Sequence, residues 1–170
     1  KNIEIIADQL IYDQKISTIQ ALGNVEVKDL SNNFILRSEE VTYNKNKKII
    51  LSNVRSTFTD TPGNNFITEQ FFYTLNDNLL KISKTKITDI QKNTYYLERG
   101  FLNLITNKLI GKDISIDFNS LAVNNEPRIV GKSISSDKDK TVIEKGAFTT
   151  CKKNDDCPPW EFLAKKITHD

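Results

Sequence analysis

The side chains that could carry out chemistry in this protein are few, and their spacing does not favour catalysis. A hydrolytic triad needs a base, and the single histidine is His169, beside the last residue of the chain. Carboxylates occur in pairs, as glycoside hydrolysis requires. Glu39 and Glu40, however, are adjacent and point to opposite faces of a strand, whereas Asp113 and Asp117 share a polar, solvated face. We therefore predict that the protein is not an enzyme.

Metal, cofactor and nucleic-acid binding are equally poorly supported. A structural zinc ion takes about four ligands at suitable spacing, and Cys151, Cys157 and His169 fall short of that set. No glycine-rich phosphate loop or dinucleotide fingerprint is present in the sequence. The 24 Lys and Arg residues nearly balance the 22 Asp and Glu residues, and the resulting net charge of +2 is too small for a dedicated nucleic-acid binder. We expect no metal, no cofactor and no nucleic-acid partner.

The elements that must position any site are β-strands. Most segments alternate apolar and polar residues, with β-branched and aromatic residues at the apolar positions, as in 25–27 and 114–118. Turn-forming sequences, such as Thr-Pro-Gly-Asn at 61–64 and Leu-Asn-Asp-Asn at 75–78, separate these segments. The pattern predicts an all-β protein made of many short strands.

An internal repeat runs through these strands. A small residue is preceded two positions earlier by an apolar residue and followed by apolar residues three and five positions later. The small residues of the four strongest copies are Ala7, Ser38, Thr68 and Gly111. A flat strand would keep its apolar residues two apart, so the odd step marks a bulge or corner at the small residue. We predict bent hairpins that stack into a folded, partly open β-jelly-roll, shaped like a taco.

The predicted stack has an interior seam lined by the apolar residues of the repeat. A seam that is closed on both sides is a packed core, whereas a seam that is open on one side is an apolar groove. The alternatives are thus a binding module with an apolar groove and a structural β-solenoid segment of a cell-surface protein with a closed core. For a groove, we expect the lining residues to be Ile5, Leu10, Tyr12, Leu36, Val41, Tyr43, Phe66, Phe71, Tyr73, Phe101, Ile114 and Ile116.

Two parts of the chain resemble a known family. The sequence Gly-Ala-Phe-Thr-Thr-Cys at 146–151, then Cys-Pro-Pro-Trp at 157–160 and a strand ending in Ile-Thr-His-Asp, resembles the N-terminal periplasmic domain of the LptD family. The units Ala-Asp-Gln-Leu-Ile-Tyr at 7–12 and Gly-Asn-Val-Glu-Val at 23–27 resemble the OstA-like repeat that LptA, LptC and LptD share.

The resemblance implies a single OstA-like β-jelly-roll domain spanning residues 1–170, as a fragment of a longer chain that continues into an outer-membrane β-barrel. The implied function is lipid transfer at the periplasmic face of the Gram-negative outer membrane. The domain would receive lipopolysaccharide from an upstream periplasmic bridge protein, which adds to an edge strand. It would pass the lipid to the barrel and its plug lipoprotein. A soluble bridge component of the same pathway is the alternative.

The same resemblance bears on the cysteines. In the family, cysteines of this domain pair with cysteines of the barrel, one of them near the start of the mature chain. Here Cys151 and Cys157 both lie late in the chain, and only five residues separate them. Either they form a disulfide with each other, which would contribute roughly 2 kcal/mol for so short a loop, or one or both pair with the barrel.

Overall fold

The computed structural model describes residues 2–119, 126–137, 139–151 and 160–169, apart from the side chain of His169. These residues form one antiparallel sheet of 13 strands and contain no helix, so the all-β prediction is confirmed. No described segment is therefore a helix long and apolar enough to cross a membrane. The strands are β1 (Ile3–Ile6), β2 (Gln9–Asp13), β3 (Thr18–Asp29), β4 (Phe34–Asn44), β5 (Ile49–Ser52), β6 (Ser56–Thr59), β7 (Asn65–Thr74), β8 (Leu79–Thr88), β9 (Thr94–Asn103), β10 (Leu109–Asp117), β11 (Arg128–Ser136), β12 (Thr141–Thr149) and β13 (Phe162–His169).

Neighbours in the sheet are mostly neighbours in sequence, as short turns between antiparallel strands require. Two places depart from this order. β1 and β2 both pair with β3, and β5 and β6 lie end to end between β4 and β7. β1 and β2 are thus two segments of one strand, and so are β5 and β6, each strand being interrupted where the sheet bends. β1–β2 therefore form one edge of the described sheet and β13 forms the other.

The sheet bends along a crease that runs across the strands. In β7 the buried side chains are Phe66 and Thr68 before the crease and Phe71 and Tyr73 after it. The pairing of β7 with β8 passes over Glu69, which lies between them and is exposed. The odd step predicted from the repeat is confirmed. Its physical basis is a change of side-chain parity at the crease. Even-numbered residues of β7 point inwards before the crease and odd-numbered residues point inwards after it, so apolar side chains line the inside of both halves.

Small residues occupy the inside of the crease because the two halves of each strand converge there. A Cβ on Gly111 would lie 2.7 Å from Leu97 Cδ2, and a Cβ on Gly146 would lie 2.6 Å from Ile167 Cδ1. At Thr68 the buried hydroxyl donates to a backbone carbonyl of its own strand at 2.8 Å. The predicted position of the small residues at the corner is therefore confirmed.

Several residues at the crease adopt the left-handed backbone conformation. Lys84 has a φ of 48°, Asp113 a φ of 52° and Lys145 a φ of 51°. This conformation costs a residue with a Cβ roughly 1–2 kcal/mol. The packing of the two halves must therefore outweigh the backbone strain at these positions.

The crease divides the sheet into two halves that face each other across an apolar interior. The turns that join the strands lie along the two outer margins of the fold, which we name the first rim and the second rim. The first rim contains the turns at 30–33, 60–64 and 89–93, and the second rim contains those at 45–48, 75–78 and 104–108 together with Asp137. The result is the folded, taco-like sheet that the repeat predicts.

Candidate functional site

The inner faces bring most of the predicted groove residues together. Seven of them are at most 4% exposed and belong to one hydrophobic cluster: Leu36, Val41, Phe66, Phe71, Tyr73, Ile114 and Ile116. Ile5 and Tyr43 are partly buried and pack against the same cluster. The structure thus places these nine residues on the inside of the fold.

The other three predicted residues are exposed. Leu10 and Tyr12 are each 55% exposed on the edge strand β2, where Leu10 pairs with the buried Ala21 and so extends the inner face to the edge. Phe101 is 42% exposed on the outer face of β9, and the adjacent Leu102, 1% exposed, takes the inner position. Phe101 therefore lies outside the groove, because the parity of β9 changes at the crease just before it.

The repeat also missed inner residues on the strands that return between its copies. Leu80, Ile82, Leu97 and Leu102 are each at most 2% exposed. A simple alternation, with Leu80 and Ile82 on either side of a lysine, was the signal available for the first two. The repeat did not reach them because it describes one strand of each hairpin.

A cavity of about 520 Å³ opens between the two rims, and we name it the mouth. Its apolar floor contains Phe66, Ile87, Leu102, Leu109 and Ile134. Its polar margin contains Asp60, Asn64 and Asp89 of the first rim and Asn107 and Asp137 of the second. The volume lies within the range of roughly 300–1,000 Å³ that ligand pockets occupy. An apolar floor inside a polar margin suits an amphiphilic ligand.

The aspartates at the margin of the mouth are held by their own turns. Asp60 accepts hydrogen bonds from the backbone N–H groups of Gly63 at 3.0 Å and Asn64 at 2.8 Å. Burial raises the pKa of Asp60 above its usual value in spite of these bonds. Asp89 accepts a hydrogen bond from the Tyr95 hydroxyl at 3.1 Å. Burial, followed by the Asp89 charge, raises the pKa of Tyr95 to about 12. These carboxylates therefore stabilise the shape of the first rim.

The apolar interior reaches both edges of the sheet. At the β1–β2 edge it ends in the exposed side chains of Leu10 and Tyr12. At the β13 edge, Trp160 is 41% exposed and Phe162 is 67% exposed, and their ring centroids are 5.3 Å apart. The Trp160 ring also lies 6.2 Å from that of Phe148. The hydrophobic cluster of the interior thus extends to partly buried residues of both edges, Ile5 of β1 and Ile167 of β13.

The described part of the cysteine segment includes Cys151 but not Cys157. Cys151 is 8% exposed, and its Sγ lies 3.9 Å from the backbone oxygen of Trp160. Cys157 lies outside the described residues, and with it the disulfide considered from the sequence. Within the described part of the chain, His, Cys, Asp and Glu side chains form no group of three or more that could hold a metal ion.

Comparison with known proteins identifies the fold. No family model matches this chain, and no curated protein matches it either. Among solved structures, LptH from Pseudomonas aeruginosa is similar, with a TM-score of 0.56 and 19% sequence identity over 66% of this chain and 82% of LptH. LptH is described as the LptA-homologous periplasmic component of the conserved lipopolysaccharide transport device. The chain thus shares the folded β-jelly-roll architecture of LptH.

Proposed function

We propose that this chain is a periplasmic lipid-transfer domain that holds the acyl chains of lipopolysaccharide inside the folded sheet. The observation that carries the proposal is the mouth, where an apolar floor opens between two polar rims. The apolar ends of the groove at Leu10 and Phe162 add to it. The fold shared with LptH, and the resemblance of the cysteine segment to the LptD family, support lipopolysaccharide as the lipid.

Binding in this site needs no chemistry. Burial of about ten methylene groups of an acyl chain contributes roughly 8 kcal/mol, at about 0.8 kcal/mol for each CH₂. The phosphorylated sugars would stay in water above the mouth. Lys92 and Lys108 lie in the same turns as Asp89 and Asn107 and would be near those phosphates. Directional movement would come from energy supplied elsewhere, as a queue of lipids is pushed along the groove.

We further propose that the domain lies between a periplasmic bridge and an outer-membrane barrel. The edge strands β1–β2 and β13 can accept a strand from another chain. An upstream bridge protein would pair with one edge, and the barrel with its plug lipoprotein would receive the lipid at the other. Residues 1–170 would then be one domain of a longer chain of the LptD type. A soluble bridge component of the same pathway would instead present both edges to bridge proteins.

A structural segment with a closed core is the second candidate, because one part of the interior is packed with aromatic rings. The ring centroids of Phe34 and Phe58 are 5.2 Å apart, and those of Phe58 and Phe66 are 4.4 Å apart. If this packing continued along the whole interior, the mouth would be only a depression in the surface. The two candidates therefore differ in whether lipid reaches the floor of the mouth.

Photo-crosslinking separates the two candidates. Ile90 lines the mouth and is 67% exposed, so a photo-reactive amino acid there leaves the core intact. Phe101, 42% exposed on the outer face, is the matched control. The purified domain is irradiated with lipopolysaccharide, and we expect a lipid adduct at position 90 and none at position 101.

Two results would contradict the proposal. Absence of an adduct at position 90, in a domain whose circular dichroism shows it folded, would favour the structural segment. Equal adducts at positions 90 and 101 would show that lipopolysaccharide coats the surface without entering the mouth.

A further inference from the structure

Among the residues that the structure describes, polar side chains join the two rims on the β3–β4 side of the mouth. The Asn32 side-chain amide of the first rim donates to Asn78 Oδ1 of the second rim at 2.8 Å and lies 3.1 Å from the Tyr73 hydroxyl. Tyr73 donates to Asp29 Oδ2 at 2.5 Å. These partners are 41 to 46 residues apart in sequence. The contacts therefore exist only because the two halves of the sheet are folded over each other.

Two of the joined groups, Asp29 and Tyr73, are shielded from water and held in position, and Asn32 and Asn78 are partly buried. Asp29 is 0% exposed and Tyr73 is 1% exposed. The backbone N–H groups of Ser31 and Asn32 donate to Asp29 Oδ1 at 3.0 and 3.3 Å, which orients the carboxylate. Burial, followed by the hydrogen bond to Asp29, raises the pKa of Tyr73 far above its usual value, so the phenol remains a donor. A buried hydrogen bond to a carboxylate is among the stronger ones in proteins.

The strand register shows why this closure is local. Tyr73 is aligned with Leu80 on the next strand, Leu80 with Leu102, and Leu102 with Leu109. Leu102 and Leu109 line the mouth. Farther along the sheet, the positions aligned with Tyr73 are therefore occupied by leucines, which have no hydroxyl to bond to the first rim. There a cavity separates the two rims.

The first-rim turns at the mouth use the same aspartate chemistry in a different way. Asp60 and Asp89 occupy places in their turns like that of Asp29 in the first. Their carboxylates bond within their own hairpins, Asp60 to Asn64 at 2.8 Å and Asp89 to the Tyr95 hydroxyl at 3.1 Å. The hydroxyl that donates to Asp29 belongs to Tyr73, on the opposite half of the sheet. The hydroxyl that donates to Asp89 belongs to Tyr95, on the same hairpin as Asp89.

We propose that Asp29, Asn32, Tyr73 and Asn78 form a clasp that keeps the rims together over the N-terminal part of the groove, so that lipid enters and leaves sideways only at the mouth. This inference rests on the proposed function and adds the place at which lateral exchange occurs. Opening the clasp lengthens the lateral opening and speeds the exchange of bound lipid.

Rim separation can be measured without lipid. Ser31 and Asp77 are exposed residues, one on each rim beside the clasp, and can carry nitroxide labels in a chain whose two native cysteines are serine. Pulsed electron paramagnetic resonance then gives the distance between the rims. We expect a narrow distribution in the parent chain and a longer, broader one in Tyr73→Phe, which removes the hydroxyl and keeps the ring.

A matched control removes a hydroxyl from the same hairpin without touching the clasp. Thr74 Oγ1 donates to the Leu79 carbonyl at 3.0 Å, within its own hairpin. Thr74→Val should therefore leave the distance distribution unchanged. Asn78→Ala breaks the clasp from the second rim and replaces Tyr73→Phe if the latter does not fold.

Lipid exchange tests the consequence for function. Each variant is loaded with fluorescently labelled lipopolysaccharide, and its release is followed in an excess of unlabelled lipid. Loss of a buried hydrogen bond to a charged group shifts an equilibrium by about tenfold, so we expect Tyr73→Phe to release lipid about tenfold faster. Thr74→Val should release it at the parent rate.

The outcomes separate the two proposals. If the parent chain binds lipid and Tyr73→Phe changes neither the rim distance nor the release rate, the clasp is wrong and the proposed function stands. If the distance increases but release is unchanged, the clasp holds the fold and does not confine lipid, which also overturns the inference. If the parent chain binds no lipid, the proposed function is wrong and the role of the clasp in exchange falls with it.

Discussion

Replacing Gly111 with alanine would test whether the crease must be lined by the smallest side chains. Gly111 lies inside the crease, opposite Gly100 of the adjacent strand. A Cβ on Gly111 would lie 2.7 Å from Leu97 Cδ2 and 3.1 Å from Ile134 Cγ2. Leu97 and Ile134 are both 2% exposed, so neither can turn aside into solvent. The added methyl group must therefore displace these two buried side chains.

The size of the effect follows from the packing. Inserting a methyl group into a well-packed interior costs about 1–3 kcal/mol. Alanine also lowers the conformational entropy of the unfolded chain relative to glycine, which by itself raises the free energy of unfolding by about 0.4–1 kcal/mol. We expect Gly111→Ala to lower the free energy of unfolding by about 1–2 kcal/mol, and the melting temperature by about 2–4 °C for each kcal/mol. Gly100→Ala is the matched control and should cost less, because its Cβ would meet nothing nearer than 3.3 Å.

Urea unfolding followed by circular dichroism measures these differences by linear extrapolation. A second background, Leu97→Val, removes the Cδ2 atom that the new methyl group meets. In that background Gly111→Ala should cost at least about 0.5 kcal/mol less, as expected for residues in contact. The reasoning would be refuted if Gly111→Ala were as stable as the parent chain. It would equally be refuted if the cost were the same in both backgrounds.

Three further substitutions probe the inner face, the mouth and the crease. Phe71→Asp should cost several kcal/mol by burying an unpaired charge, whereas Phe101→Asp on the outer face should cost less than about 0.5 kcal/mol; equal thermal melts would contradict this assignment of faces. The pKa of Asp60 is raised in the folded state, so the parent chain should gain stability relative to Asp60→Asn as the pH falls from 7 towards 4. A difference in free energy of unfolding that does not change with pH would argue against this. Lys84→Gly removes the Cβ at a φ of 48° and should raise the free energy of unfolding by up to about 1 kcal/mol, which is the relieved strain less the entropy that glycine adds to the unfolded chain. Lys86→Gly on the same strand should instead lower it by about 0.5–1 kcal/mol, and equal urea-unfolding curves for the two variants would contradict this.

The residues of the repeat show how far local spacing reaches. The repeat predicts that Leu36 and Phe71 lie on the inner face, because burial of apolar side chains is favourable, and both are buried there. Phe101 and Leu102 show where that reasoning fails. Both are large and apolar, and they are adjacent, so one must face outwards. Which of the two does so depends on the change of parity at the crease of β9, and residue type alone does not decide it.

By itself the sequence determined the strand class, the place of the crease and most of the inner face. These features depend on backbone parity and side-chain size within a few residues of each other. Only the tertiary structure decided which part of the seam is closed and which is open. The Tyr73–Asp29 contact joins residues 44 positions apart, and the mouth is lined from Asp60 to Asp137. Such pairings depend on how the two halves of the sheet twist over each other, which no local spacing encodes.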